Sequence, residues 1–419
     1  VECRLLVFES GGENAFGKSE GRVAAAREKI SGMSRPAHPI YNWQFALVCM
    51  SSLFFSASFN MLLPELPAYL SGLGGAEYKG LIIALFTLTA GISRPFSGKL
   101  TDTVGRIPVM AVGSLVCFIC GFLYPVLTSV AGFLLLRLIH GFSTGFKPTA
   151  TAAYVADLVP SSRWGEAMGI HGICFSTGMA VGPAIGSAIV QYYSINVLFY
   201  ASSLLALLSV VILYNMKETL PVKQRLQWKH LKVRRDEIIE WQVFPAALVT
   251  LLSYLSYGTI LTLVPDWGDF IGMRNKGVFF MVFTLASLLV RFVAGRLSDR
   301  RGRETVIRGG LIMLVLSLVC MAWWQTTTGL LFGAVLYGVA TGILSPAVNA
   351  WTVDMSHPER RGKAMATMYI ALEAGIGLGA LAAGTIYQDH IQRIPQLMYG
   401  AAALTAIAIF YMYRRRKHA

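Results

Sequence analysis

Gly98-Lys99-Leu100-Thr101-Asp102-Thr103-Val104-Gly105-Arg106 returns later in the chain as Gly295-Arg296-Leu297-Ser298-Asp299-Arg300-Arg301-Gly302-Arg303. The shift from Asp102 to Asp299 is 197 positions, and it holds well beyond the loop. It carries Lys79-Gly80 onto Lys276-Gly277, Phe86-Thr87-Leu88 onto Phe283-Thr284-Leu285, and Arg94 onto Arg291. It also carries Gly141 onto Gly338, Gly145 onto Gly342, Asp157 onto Asp354 and Arg163 onto Arg360. A constant register of this kind marks a duplicated unit, and an internal repeat fixes architecture before any local reading does.

Around the repeated loop the chain is apolar. Of 419 residues, 55% are hydrophobic and only 14% charged, and the mean hydropathy is +0.56. Soluble domains carry nearer a quarter of charged residues, so this is the composition of a polytopic membrane protein. The net charge of +14 does not signal nucleic acid, because the basic residues sit in short loops between apolar stretches. The six cysteines fall mostly in apolar segments. Cys117 and Cys120 read as small buried hydrophobes rather than a redox pair. We expect no metal and no cofactor.

From Trp43 onward, apolar stretches of bilayer-spanning length follow one another. The pattern predicts helices near 43–64, 77–98, 107–126, 130–153, 164–190 and 195–215. Six more are predicted near 241–264, 276–298, 305–324, 328–352, 362–387 and 394–413. The expected fold is therefore all-α: twelve transmembrane helices in two homologous six-helix bundles, 41–215 and 241–415, joined by a basic linker at 216–240. Lys99, Arg106, Arg300, Arg301, Arg303, Arg360, Arg361, Lys363, the linker and the tail Arg414-Arg415-Arg416-Lys417 all fall on one side. Basic loops stay cytoplasmic, so both termini are expected inside. Residues 1–40 are polar and lack the apolar core of a signal peptide. With Val at position 1 and Met33 just ahead of the first span, we expect 1–32 to be disordered or foreign to the native chain.

Twelve helices, a basic central linker and the paired loops resemble the major facilitator superfamily, and the resemblance covers essentially all of 40–415. The repeated loop is similar to that family's motif A. Arg137-Leu138-Ile139-His140-Gly141 with Gly145 is similar to motif B. Gly178-Met179-Ala180-Val181-Gly182-Pro183-Ala184-Ile185-Gly186 is similar to motif C, which is associated with the drug:proton antiporter branch. Leu62-Leu63-Pro64-Glu65-Leu66-Pro67 also resembles that branch, and no Pro follows Gly379 in the second half. The resemblance implies a gating role for Asp102, Arg106 and Asp157 and for their counterparts Asp299, Arg303 and Asp354. Arg94 and Arg291, at matching positions, read as a structural or gating pair. Gly178, Gly182, Pro183 and Gly186 give a smooth, kinkable face, a hinge or packing surface rather than a chemical site.

Where the halves differ is where solute or proton chemistry is expected, since an ionisable group inside the bilayer is costly and so marks function. Arg137 faces Ala334 in the register, His140 Tyr337, Lys147 Leu344 and Glu373 Ser176. Lys147 either binds an anionic group of the solute or pairs with a carboxylate such as Glu373. Glu373 either carries a proton or partners a basic side chain. Arg137 and His140 read as relay or packing residues. Glu65 stands at the outer end of the first span as a gate or a solvated end charge, and Tyr254 and Tyr257 are candidates to face a central cavity.

The expected function is proton-coupled transport of a small organic solute, a drug or metabolite and on the strength of Lys147 an anion, outward across the inner membrane of a bacterium. The expected partners are the solute, protons and the lipid bilayer, with the protein acting as a monomer. A symporter importing a sugar or organic acid, and a non-transporting receptor or lipid scramblase, are the alternatives. No H-E-x-x-H is present, and an enzyme is not expected.

Overall fold

The computed structural model describes residues 42–160, 163–220, 224, 239–357 and 360–416. The expectation for 1–32 and most of the 216–240 linker lie outside the described residues. Among those described, twelve α-helices run 18 residues or more: α1 (Trp43–Asn60), α3 (Lys79–Thr103), α4 (Arg106–Leu123), α5 (Val130–Leu158), α6 (Trp164–Tyr192), α7 (Ile195–Tyr214), α8 (Phe244–Phe270), α9 (Gly277–Arg301), α10 (Arg303–Trp323), α11 (Thr327–Met355), α12 (Arg361–Tyr387) and α13 (Ile394–Arg416). A short α2 (Leu66–Gly72) follows α1. Nine of them are long and apolar enough to cross a membrane, with a shorter apolar stretch at Gly277–Arg291. Helices satisfy every backbone group internally, which lipid requires.

The register is written into the backbone. α4 and α10 begin at Arg106 and Arg303, α5 and α11 at Val130 and Thr327, and α6 and α12 at Trp164 and Arg361, each pair 197 positions apart. Gly105 and Gly302 both enter the next helix with positive φ, 139° and 84°. A side chain resists that conformation, so glycine is needed twice.

Helix packing follows the same rule. α1 packs on α6 and α7, α3 on α5, and α4 on α5 and α7. One repeat later α8 packs on α12 and α13, α9 on α11, and α10 on α11 and α13. Two seams join the sets, α3 against α12 and α6 against α9, and the shift exchanges them. Gly178, Gly182 and Gly186 turn to the backbone of α1, and a Cβ on Gly182 would lie 2.8 Å from the Ala57 carbonyl oxygen.

Several boundaries differ from the hydropathy reading, among them the end of α1 and the end of α5. α1 stops at Asn60, and a turn at 61–65 precedes α2. Pro64 is disfavoured in a helix interior and pushes its predecessor toward extended backbone. α5 continues to Leu158, past the expected 153. Hydropathy marks where lipid ends rather than where the helix ends, and the extra turn carries Asp157.

Candidate functional site

A cavity of about 970 Å³ lies between the two sets of helices. Its walls are largely apolar and aromatic: Phe59 from α1, Phe86 from α3, Phe175 and Met179 from α6, Tyr257 from α8 and Tyr369 from α12. Lys99, Asp102 and Lys363 line it too, so the cavity reaches the end of the molecule that carries the basic loops. The Asp102 side chain is 73% exposed.

The other end is sealed by charge. Lys79, at the start of α3, holds Asp266 of α8 at 2.5 Å and also reaches Asp389 beyond α12. Lys276, just ahead of α9, holds Glu65 at 3.2 Å and Asp269 at 3.1 Å. Ser187 of α6 donates to Glu65 at 2.6 Å and accepts from the Gly277 amide at 3.1 Å. Each half thus lends a lysine to a carboxylate of the other half, Asp266 near the end of α8 and Glu65 in the turn between α1 and α2. Glu65 was read from the sequence as a gate or a solvated end charge. It is 5% exposed and paired. The two lysines were not singled out as site residues, although the register had already aligned them.

Midway along the cavity, Arg94 Nη2 meets Glu373 Oε1 at 2.6 Å across the α3–α12 seam. The guanidinium also lies over the Tyr369 ring, 5.1 Å from its centroid. This is the ion pair that the cavity wall itself carries from one half to the other, and both residues line it. Glu373 therefore partners Arg94 rather than Lys147.

Lys147 points away from the cavity. It is 1% exposed in the interior of the first half, where Nζ donates to the Ser51 and Ser114 hydroxyls at 2.7 and 2.9 Å and also to Ser209. The Phe55 ring lies 5.0 Å away. Its neighbours Pro148 and Thr149 line the cavity instead.

Arg137 reaches the cavity lining while almost wholly buried. Its Nε donates to the Ile82 carbonyl at 2.9 Å, and its guanidinium covers Phe86 at 4.6 Å. Behind it His140 bridges the Tyr124 hydroxyl at 3.1 Å and Cys117 Sγ at 3.2 Å. The structure thus joins two of the asymmetric residues in one polar chain and leaves Lys147 apart. Tyr257 lines the cavity, and Tyr254 and Tyr257 together line a smaller side chamber with Arg291.

At the basic end the arginines that open α4 and α10 tie to the far ends of α5 and α11. Arg106 Nε meets Asp157 Oδ2 at 3.0 Å, with Asp102 at 3.1 Å from Nη1. One repeat later Arg303 Nε meets Asp354 Oδ2 at 2.9 Å. The Asp299 side chain lies outside the described residues. Glu218, from the segment after α7, accepts from the Arg106 and Ile107 amides at 3.0 and 3.1 Å. A carboxylate at a helix N-terminus satisfies free amides and meets the helix dipole. Nothing in the sequence tied this residue, 112 positions from Arg106, to that helix.

Stacked apolar helices in two matching sets, a cavity open at one end and a charge lock at the other define a membrane carrier. The Major Facilitator Superfamily model matches residues 48–275 and 246–419, so the chain belongs to that family of transporters and is a multi-pass integral membrane protein. It is 26% identical over 362 residues to the multi-drug resistance efflux pump PmrA homolog of Lactococcus lactis, covering 82% of this chain and 89% of that one. It is 30% identical over 331 residues to the multidrug resistance protein MdtG of Serratia proteamaculans, covering 75% and 80%. The fold is shared with the human organic anion transporter MFSD10 (TM-score 0.68, 19% identity, 88% and 98% covered) and the nucleoside transporter NupG (0.69, 14%, 88% and 100%).

Proposed function

We propose that the protein is a proton-coupled exporter of small organic solutes, acting as a monomer in a bacterial inner membrane. All twelve long helices cross the bilayer on this reading, with the basic loops and both termini in the cytoplasm. The two parallel halves rock about the cavity, as in parallel-repeat carriers. On this reading the cavity opens to the cytoplasm and is closed on the outer side by Lys79 and Lys276. Asp102, Arg106 and Asp157, with Asp299, Arg303 and Asp354, form the inner gate. Gly178, Gly182, Pro183 and Gly186 are the close-packed surface on which the first half moves.

The observation that carries the reading is the Arg94–Glu373 pair in the cavity wall. A carboxylate there is the group a proton can neutralise, and its neutral form no longer holds Arg94 across the seam. A ligand shifts two states only by its different affinity for each, and a proton on Glu373 discriminates between a paired and an unpaired seam. The names of the bacterial relatives support efflux, and the apolar lining suits drug-like molecules.

The test is transport by the purified protein in proteoliposomes under an imposed pH gradient, with a panel of lipophilic cations, zwitterions and anions. We expect at least one of them to move against its own gradient, and a protonophore to abolish that movement. Movement that ignores the pH gradient would contradict proton coupling.

A further inference from the structure

The register makes a specific demand on the second seam. Arg94 on α3 and Glu373 on α12 pair at 2.6 Å. One repeat later Arg94 becomes Arg291 on α9, while Glu373 corresponds to Ser176 on α6. α9 packs on α6 as α3 packs on α12. The second seam therefore keeps the guanidinium and lacks the carboxylate.

Where the carboxylate is missing there is space. A chamber of about 80 Å³ is lined by Arg291, Ser176, Thr284, Ser287, Thr341 and Tyr257. One water occupies roughly 30 Å³ of liquid, so a carboxylate-sized group fits. Thr284 Oγ1 is buried and has no hydrogen-bond partner, and Arg291 has no ion-pair partner among the described residues. A buried hydroxyl without a partner is uncommon, and Arg291, at the end of the apolar stretch Gly277–Arg291, is exposed rather than buried. The chamber shares Met179 and Tyr257 with the large cavity, so a molecule lying in one can extend a group into the other.

We propose that Arg291, with the hydroxyls of Ser176 and Thr284, is the subsite for an acid group of the transported solute. The solute is an amphipathic organic anion. Its acid group completes in the second seam the pair that Glu373 completes in the first, and its apolar body lies against the aromatic walls of the large cavity. This names the solute of the transport reading above and rests on it. The same chemistry would also accept a free inorganic anion, which the experiment separates.

The probe is radiolabelled 1-naphthoate, measured by equilibrium dialysis against the purified full-length protein, with protein-free micelles as the blank. We expect saturable binding to the wild type. Arg291→Gln and Ser176→Glu should each weaken it about ten- to a hundredfold, the worth of a hydrogen bond to a charged group. Ser176→Glu supplies the missing carboxylate from the protein, so it should block the anion while leaving the melting temperature within a few degrees of wild type. Neutral methyl 1-naphthoate should bind all three proteins alike. Equal naphthoate affinity in all three would overturn the subsite. Displacement of naphthoate by chloride, in a protein that does not transport naphthoate, would assign the site to an inorganic anion and overturn the solute. Binding is read at equilibrium without a gradient, so a failure of pH-driven transport would strike the proton-coupling reading and leave the anion site standing.

Discussion

Lys79 Nζ lies 2.5 Å from Asp266 Oδ2, and both side chains are more than nine-tenths buried. Its counterpart Lys276 makes the reciprocal contact to Glu65 at 3.2 Å. The two lysines exchange under the internal register, their carboxylate partners Glu65 and Asp266 stand 201 positions apart, and the two pairs close one end of the cavity.

If these pairs are the outer seal, their loss should open it. Removing one member of a buried pair costs about 3–5 kcal/mol, enough to shift an equilibrium by a hundredfold or more. Spin labels at Tyr192→Cys and Phe270→Cys, at the exposed sealed-end termini of α6 and α8, report the gap once the native cysteines are replaced. We expect Lys79→Ala with Lys276→Ala to raise the long-distance population in pulsed electron resonance. An unchanged distance distribution counts against the seal.

The pairs at the other end are more exposed: Asp157 and Asp354 keep 32% and 52% of their side-chain surface. Exposed pairs contribute about 0–1 kcal/mol. Asp157→Asn and Asp354→Asn should therefore leave the melting temperature within a few degrees of wild type while slowing transport several-fold, and to a similar degree in both halves. A large loss of stability with normal turnover in the surviving protein would make these residues structural rather than gating.

Lys147 is held by serine hydroxyls in the interior of the first half, away from the cavity wall. Lys147→Met keeps most of the side-chain volume, and Ser51 and Ser209 still bond to one another at 3.0 Å. We expect transport and its charge preference to survive, with stability equal or slightly raised, since apolar replacement of buried charge is often neutral or favourable. Loss of selectivity between anions and cations in this variant would return Lys147 to the site.

How much of this was legible in the sequence differs from residue to residue. The duplicated loop located Arg106 and Asp157, because a repeat preserves spacing and spacing fixes the ion pair twice. It also aligned Lys79 with Lys276. It could not show that each reaches into the opposite half, because that depends on how the two bundles face each other. Lys147 illustrates the reverse. Its charge in an apolar stretch marked it as unusual, but the direction of a side chain around a helix depends on neighbours far away in the chain. α5 turns Pro148 and Thr149 to the cavity and Lys147 to Ser51, Ser114 and Ser209. Glu218 was invisible for the same reason, since its partners are amides of a helix more than a hundred positions away.

The most direct test of proton coupling is the pH dependence of transport in Glu373→Gln. Glutamine keeps the shape of the neutral carboxyl but cannot take up or release a proton. In proteoliposomes with a fixed solute gradient, wild-type transport should respond to an imposed pH difference. The variant should carry solute down its own gradient at a rate that no longer depends on that difference. A pH response retained in full by Glu373→Gln would contradict the assignment of this carboxylate as the proton carrier.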